Sequence, residues 1–115
     1  MRMADVTSEV RIVGAAGPDG LTLRTIGLSA RGLPELRAEA LPPYLGDGWA
    51  RVLGALARSL AATGEPPAEI APGIEIEFTT AADGALLPVP PPGPGRDLAE
   101  WRRDVLLRLF PEALI

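Results

Sequence analysis

Apolar and polar residues alternate in four stretches of this chain, and in two others apolar residues recur every three to four positions. Glu9-Val10-Arg11-Ile12-Val13 is short and β-branched, and Leu21-Thr22-Leu23-Arg24-Thr25-Ile26 answers it. Gly17-Pro18-Asp19-Gly20 lies between them. Proline presets φ at the second position of such a turn, and glycine tolerates the conformation that closes it, so the two runs predict a hairpin. Leu36-Arg37-Ala38-Glu39-Ala40 also has period two, although its alanines suit a helix as well, and Pro42-Pro43 ends it either way. Ile74 to Thr79 is the cleanest strand pattern, with Ile74, Ile76 and Phe78 on one face and Glu75, Glu77 and Thr79 on the other. Ala81 to Gly84 reads as a turn and Ala85-Leu86-Leu87 as a returning strand.

The helical period predicts one helix over about Gly48 to Thr63, with Trp49, Val52, Leu53, Leu56 and Leu60 on one face. Asp47 is placed to cap its start, and Gly64 followed by Pro66-Pro67 to stop it. A second helix is expected from about Leu98 to Phe110, capped by Asp97 with Glu100 at capping-box spacing and closed by Pro111. Its stripe is Leu98, Trp101, Val105 and Leu109. Leu106 and Phe110 widen it to a second apolar face.

These elements predict an α+β fold: a mostly antiparallel sheet of four or five strands with two helices packed on one face. The expected core is Val10, Ile12, Leu21, Leu23, Ile26, Val52, Leu53, Leu56, Leu60, Ile74, Ile76, Phe78, Trp101, Val105 and Leu109. At 115 residues the chain reads as a single domain, 1–115, with a Pro-rich connector at residues 88–95 before the last helix. Prolines there cannot donate ladder hydrogen bonds, which makes the run an extended link or a sheet edge.

Composition narrows the chemistry. The chain has no His, Cys, Lys, Asn or Gln. It therefore lacks an imidazole base or metal ligand, a thiolate, a disulfide, a Schiff-base amine and a phosphate-loop lysine. Every one of its 11 basic residues is Arg, and 15 acids leave a net charge of −4, a poor balance for nucleic acid. The excess of Ala, Gly, Pro and Arg points to a bacterial, GC-rich coding sequence. The opening residues contain no apolar run of signal-peptide length, and no stretch is long and apolar enough to span a bilayer, so the cytoplasm is the expected location.

What remains for a site is carboxylate and guanidinium. Arg24, Arg31 and Arg37 flank Pro34-Glu35, and with Glu35 they form a candidate site for a small anionic ligand, since guanidinium pairs bidentately with carboxylate or phosphate. The competing reading is a surface Arg–Glu network. Glu75 and Glu77 share a strand face and are the weak candidates for a divalent cation, against their being the wet side of a sheet. The glycine-rich Gly14 to Gly20 leads into a strand rather than a helix and reads as turn chemistry. Gly93 to Asp97 precedes a helix with Arg96 at its start, a faint anion-loop pattern. Ser29 and Ser59 have no base to activate them. Trp49 and Trp101 read as core anchors packed near one another, with ligand stacking the alternative. No catalytic residue and no cofactor are assigned.

Thr25-Ile26-Gly27-Leu28, followed by Leu33-Pro34-Glu35-Leu36, resembles a bacterial family of domains of unknown function. Its members carry a Y-T-[IV]-G-L segment, a short loop, and a P-E-L segment running into a strand and a Leu-rich helix. The resemblance covers about Leu21 to Phe78, with Arg24 in place of the aromatic residue and without an aromatic-Pro-Asp segment near the end. It implies a domain shape and carries no reaction.

The missing catalytic kit, the proline-rich edge and the doubly apolar last helix favour a non-catalytic binding or interaction module. It is expected to self-associate or to bind a protein partner, with no nucleic acid and no membrane. The alternatives are a carboxylate/Arg-based enzyme or small-ligand or metal binder, and an accessory or immunity-type protein that neutralises a partner.

Overall fold

The computed structural model of the chain describes residues 10–92 and 97–114. Its first unit is the expected hairpin, longer than the β-branched run alone. Strand β1, Arg11–Gly17, pairs antiparallel with β2, Gly20–Ile26, through an unbroken register from Arg11↔Ile26 to Gly17↔Gly20. The small residues from Gly14 onward are ladder rather than loop. The turn is only the two residues Pro18 and Asp19, and the residues on either side of it, Gly17 and Gly20, already pair with each other. Glu9, expected to open the first strand, lies outside the described residues.

Strand β3, Arg37–Leu41, takes the other side of β2, pairing Leu23 with Ala38 and Leu21 with Leu41. Two steps on β2 match three on β3, so one residue is extra. Ala40 occupies the bulge at φ 55°, where a non-glycine residue is strained. Opposite it, Gly20 has φ 129°, and a Cβ there would stand 2.7 Å from the Leu41 carbonyl oxygen.

The single four- to five-stranded sheet expected from the pattern does not form. The run Ile74 to Thr79 divides between two partners: β5, Ile74–Glu75, pairs with β4, Glu69–Ala71, while β6, Glu77–Thr80, pairs with β7, Leu86–Val89. Between them Ile76 is buried, its amide donating to the Ala68 carbonyl at 3.0 Å. The result is one three-stranded and two two-stranded antiparallel sheets. The first and last are joined by a single parallel bridge, Leu36 to Leu86, in which the Leu86 amide donates to the Glu35 carbonyl at 2.8 Å. Two residues on, where that ladder would need its next donor, stands Pro88, which has no N–H.

Helix α1, Gly46–Thr63, lies across the three-stranded sheet, burying Trp49, Val52, Leu53, Leu56, Ala57 and Leu60. It starts two residues earlier than expected, directly from a 3-10 turn at Pro43–Leu45. Asp47 is therefore in the first turn, where its charge suits the helix dipole, and is not the cap. Gly64 ends the helix as expected, its amide donating to the Leu60 carbonyl at 2.7 Å.

Helix α2, Leu98–Leu109, is capped by Asp97, whose carboxylate accepts from the Glu100 amide at 3.3 Å. It packs against α1 and the Pro43–Leu45 turn. The two tryptophans meet there with ring centroids 5.7 Å apart at 52°, and the Trp49 indole donates to the Arg102 carbonyl at 3.0 Å. The helices cross so closely that a Cβ on Gly48 would stand 2.5 Å from Leu106 Cδ1.

Of the expected core, Leu23, Val52, Leu53, Leu56, Leu60, Ile76, Trp101 and Val105 are buried. Val10, Ile12, Leu21, Ile26, Ile74, Phe78 and Leu109 are half-buried. The core also takes in Leu28, Leu36, Leu41, Leu45 and Leu106.

Candidate functional site

Glu35 is the centre of the polar structure. Thr25 is a buried residue on β2 whose hydroxyl donates to Glu35 Oε1 at 2.6 Å and accepts from the Leu36 amide at 2.9 Å. The chain then bends at Gly27 and enters a 3-10 turn at Ser29–Arg31. The bend aims successive amides at the same carboxylate: Gly27 and Ser29 donate to Oε2 at 3.2 and 2.9 Å, and Leu28 to Oε1 at 3.3 Å. Three converging amides form an anion-binding nest, here filled by the protein's own side chain. Burial pushes the Glu35 carboxyl up. The hydrogen bonds from Thr25, Ser29 and Gly27 together outweigh it and hold the group below the ordinary glutamate value. A carboxylate held by four internal donors is a latch between the Thr25–Ser29 and Pro34–Leu36 segments.

Arg24, Glu35 and Arg37 do come together, on a pocket of about 440 Å³ whose walls also include Ser29, Pro34 and Asp83. Arg24 and Arg37 face each other across β2 and β3. Arg37 is already engaged, with Nη1 2.7 Å from Asp83 Oδ2 and Nε 2.7 Å from Glu39 Oε2. The Asp83 hydrogen bond leads in raising its pKa, and the same contact lowers that of Asp83. Arg31 belongs elsewhere, on the wall of a separate groove.

Glu75 and Glu77 are both exposed, on either side of buried Ile76, and line a different depression from Glu35. Among the described residues no group of three acidic side chains is arranged to hold a metal ion. The anion-loop pattern at residues 93–96 lies outside the described residues.

The feature missed in the sequence is the edge of β1. Among the described residues β1 pairs only with β2, so its other side presents free backbone donors and acceptors over seven residues. Its pairing with β2 has no bulge, and Gly14, Ala15, Ala16 and Gly17 are all exposed. Beside this edge runs a mainly apolar groove of about 500 Å³, walled by Val10 and Ile12 on one side and by Gly54, Ala57 and Ala61 of α1 on the other, with Arg58 at its rim. The sequence signal was present: a glycine–alanine run adjoining a two-residue turn, with no charge in it.

The second apolar face expected of α2 is satisfied within the chain. Leu106 is completely buried, and Phe110 is half-buried with the Arg51 guanidinium 5.6 Å from its ring centre. Among the described residues no helix is long and apolar enough to cross a membrane. Comparison with family models, with curated proteins and with solved structures finds no match.

Proposed function

We propose that the protein is a non-catalytic interaction module that binds through the open edge of β1. The observation that carries this reading is that edge itself. Sheet proteins ordinarily blunt an exposed edge with a lysine, an inward-pointing charge, a proline or a bulge. Strand β1 has none of these between Ile12 and Gly17, and its small side chains leave the backbone accessible to an extended partner. The Arg and Glu residues that suggested a ligand site support the reading too, because Glu35 and Arg37 are consumed by internal bonds. We place the protein in the bacterial cytoplasm, and its likeness to the T-I-G-L/P-E-L domains is one of shape. The joining of those two segments by Glu35 is what supports that likeness.

The test is edge dependence. Ala15 is exposed at the middle of β1, and Ala15→Lys puts a gatekeeper charge there without touching the core. Wild type and Ala15→Lys are expected to share circular dichroism and melting temperature, while complexes cross-linked in cells to wild type are lost in the variant. Complexes recovered equally by both proteins would refute an edge-mediated role.

A further inference from the structure

We infer that the occupant of the β1 edge is a second copy of β1, paired antiparallel about a two-fold axis at Gly14; this rests on the reading of the edge as the contact surface. The argument begins with charge. Arg11 stands at one end of β1, and Asp19 stands in the turn beyond the other; both are exposed. Neither is in an ion pair among the described residues. An antiparallel strand pairing with its own copy brings opposite ends together. Centred on Gly14, it sets Arg11 opposite the Gly17 of the second copy, at the end of that copy's hairpin where the turn carries Asp19, within reach of a side chain as long as arginine. The symmetry repeats the contact, so two Arg11–Asp19 pairs bracket the interface.

The same register accounts for the groove. Side chains directly opposite in an antiparallel pair lie on the same face of the sheet. Ile12, which lines the groove on the face covered by α1, would lie opposite Ala16 of the second copy, with that copy's Pro18 in the turn just beyond. Ala16 and Pro18 are exposed in the single chain. The second copy therefore brings a small apolar side chain to the groove mouth. At the centre, Gly14 and Ala15 offer no bulk to hold the strands apart. The product is one continuous six-stranded sheet in which neither β1 edge remains open.

The experiment is sedimentation equilibrium on the full chain, wild type beside Arg11→Asp and Asp19→Arg. Wild type is expected to dimerise. Each charge reversal opposes like charges at both ends of the interface and weakens the dimer roughly tenfold, the size expected for two exposed pairs. The two variants mixed together are expected to recover wild-type affinity, because a mixed dimer restores Arg opposite Asp at both ends. This result cannot arise from misfolding of either variant. A wild type that stays monomeric overturns the inference. So does a dimer indifferent to both reversals, or one that mixing fails to restore. If the chain is monomeric while Ala15→Lys still abolishes a cross-linked complex, the edge binds a different protein and only the self-pairing fails. If nothing depends on Ala15, both readings fail.

Discussion

The Thr25 hydroxyl and the amides of Gly27, Leu28 and Ser29 converge on one carboxylate, and this has a consequence in acid. The folded state holds Glu35 below its ordinary pKa, so folding favours the ionised form. That contribution is complete above the ordinary glutamate range and is lost as the pH falls through the lower folded value. Glu35→Gln keeps the shape but faces amide donors with a group that is itself half donor. It is expected to lower stability by about 1–3 kcal/mol at neutral pH, in urea denaturation. It should also flatten the fall in stability on acidification, and a variant as acid-sensitive as wild type would remove Glu35 from that role. Ala40 offers a second test. At φ 55° it bears strain that glycine does not, offset by the greater freedom of glycine in the unfolded chain. Ala40→Gly is expected to be neutral to stabilising by about 1 kcal/mol, where an ordinary strand position would lose stability. The residue types in this network were all visible in the sequence. Their roles were not, because Glu35 looks the same to a pattern whether its carboxylate faces solvent or a hydroxyl and three amides.

Periodic elements were legible from the chain and their neighbours were not. Both helices follow their apolar stripes to within two residues at either end, since long 3.6-residue patterns leave little alternative. The run Ile74 to Thr79 was recognisable as extended, yet alternation cannot reveal that its two halves pair with different strands. Strand β4 has only three residues, too few for a period to show. Pro88 was visible as a residue that cannot donate, but which ladder it interrupts depends on tertiary contacts. Between the helices, close approach rests on Gly48. Gly48→Ala would gain helix propensity on an isolated helix, but here its methyl meets Leu106. The expected net effect is a loss of about 1–3 kcal/mol, read from chemical denaturation, from overpacking at the crossing. A stabilised variant would mean that α1 and α2 do not cross as closely as described.

For the whole molecule, the tryptophans, the leucines of α1 and the sheet face form one core, and the exposed ion pairs Arg37–Asp83 and Arg51–Glu112 tie its outer parts together. Surface pairs of this kind contribute little and weaken in salt, so stability is expected to vary only slightly with ionic strength. Binding was expected to fall to α2 and the proline segment, on the doubly apolar pattern of the helix and the run of prolines. Folding buries Leu106 and half-buries Pro90 and Pro91, and leaves the glycine–alanine strand open instead. Small residues carry no hydropathic signal, so an edge built from them stays invisible until its pairing partners are known. The most direct measurement is amide hydrogen exchange of β1 across a dilution series of the pure protein. If the strand pairs with its own copy, the amides of Arg11–Gly17 not bonded to β2 should become more protected as concentration rises, while α1 stays constant. Exchange in β1 that is independent of concentration would contradict self-pairing.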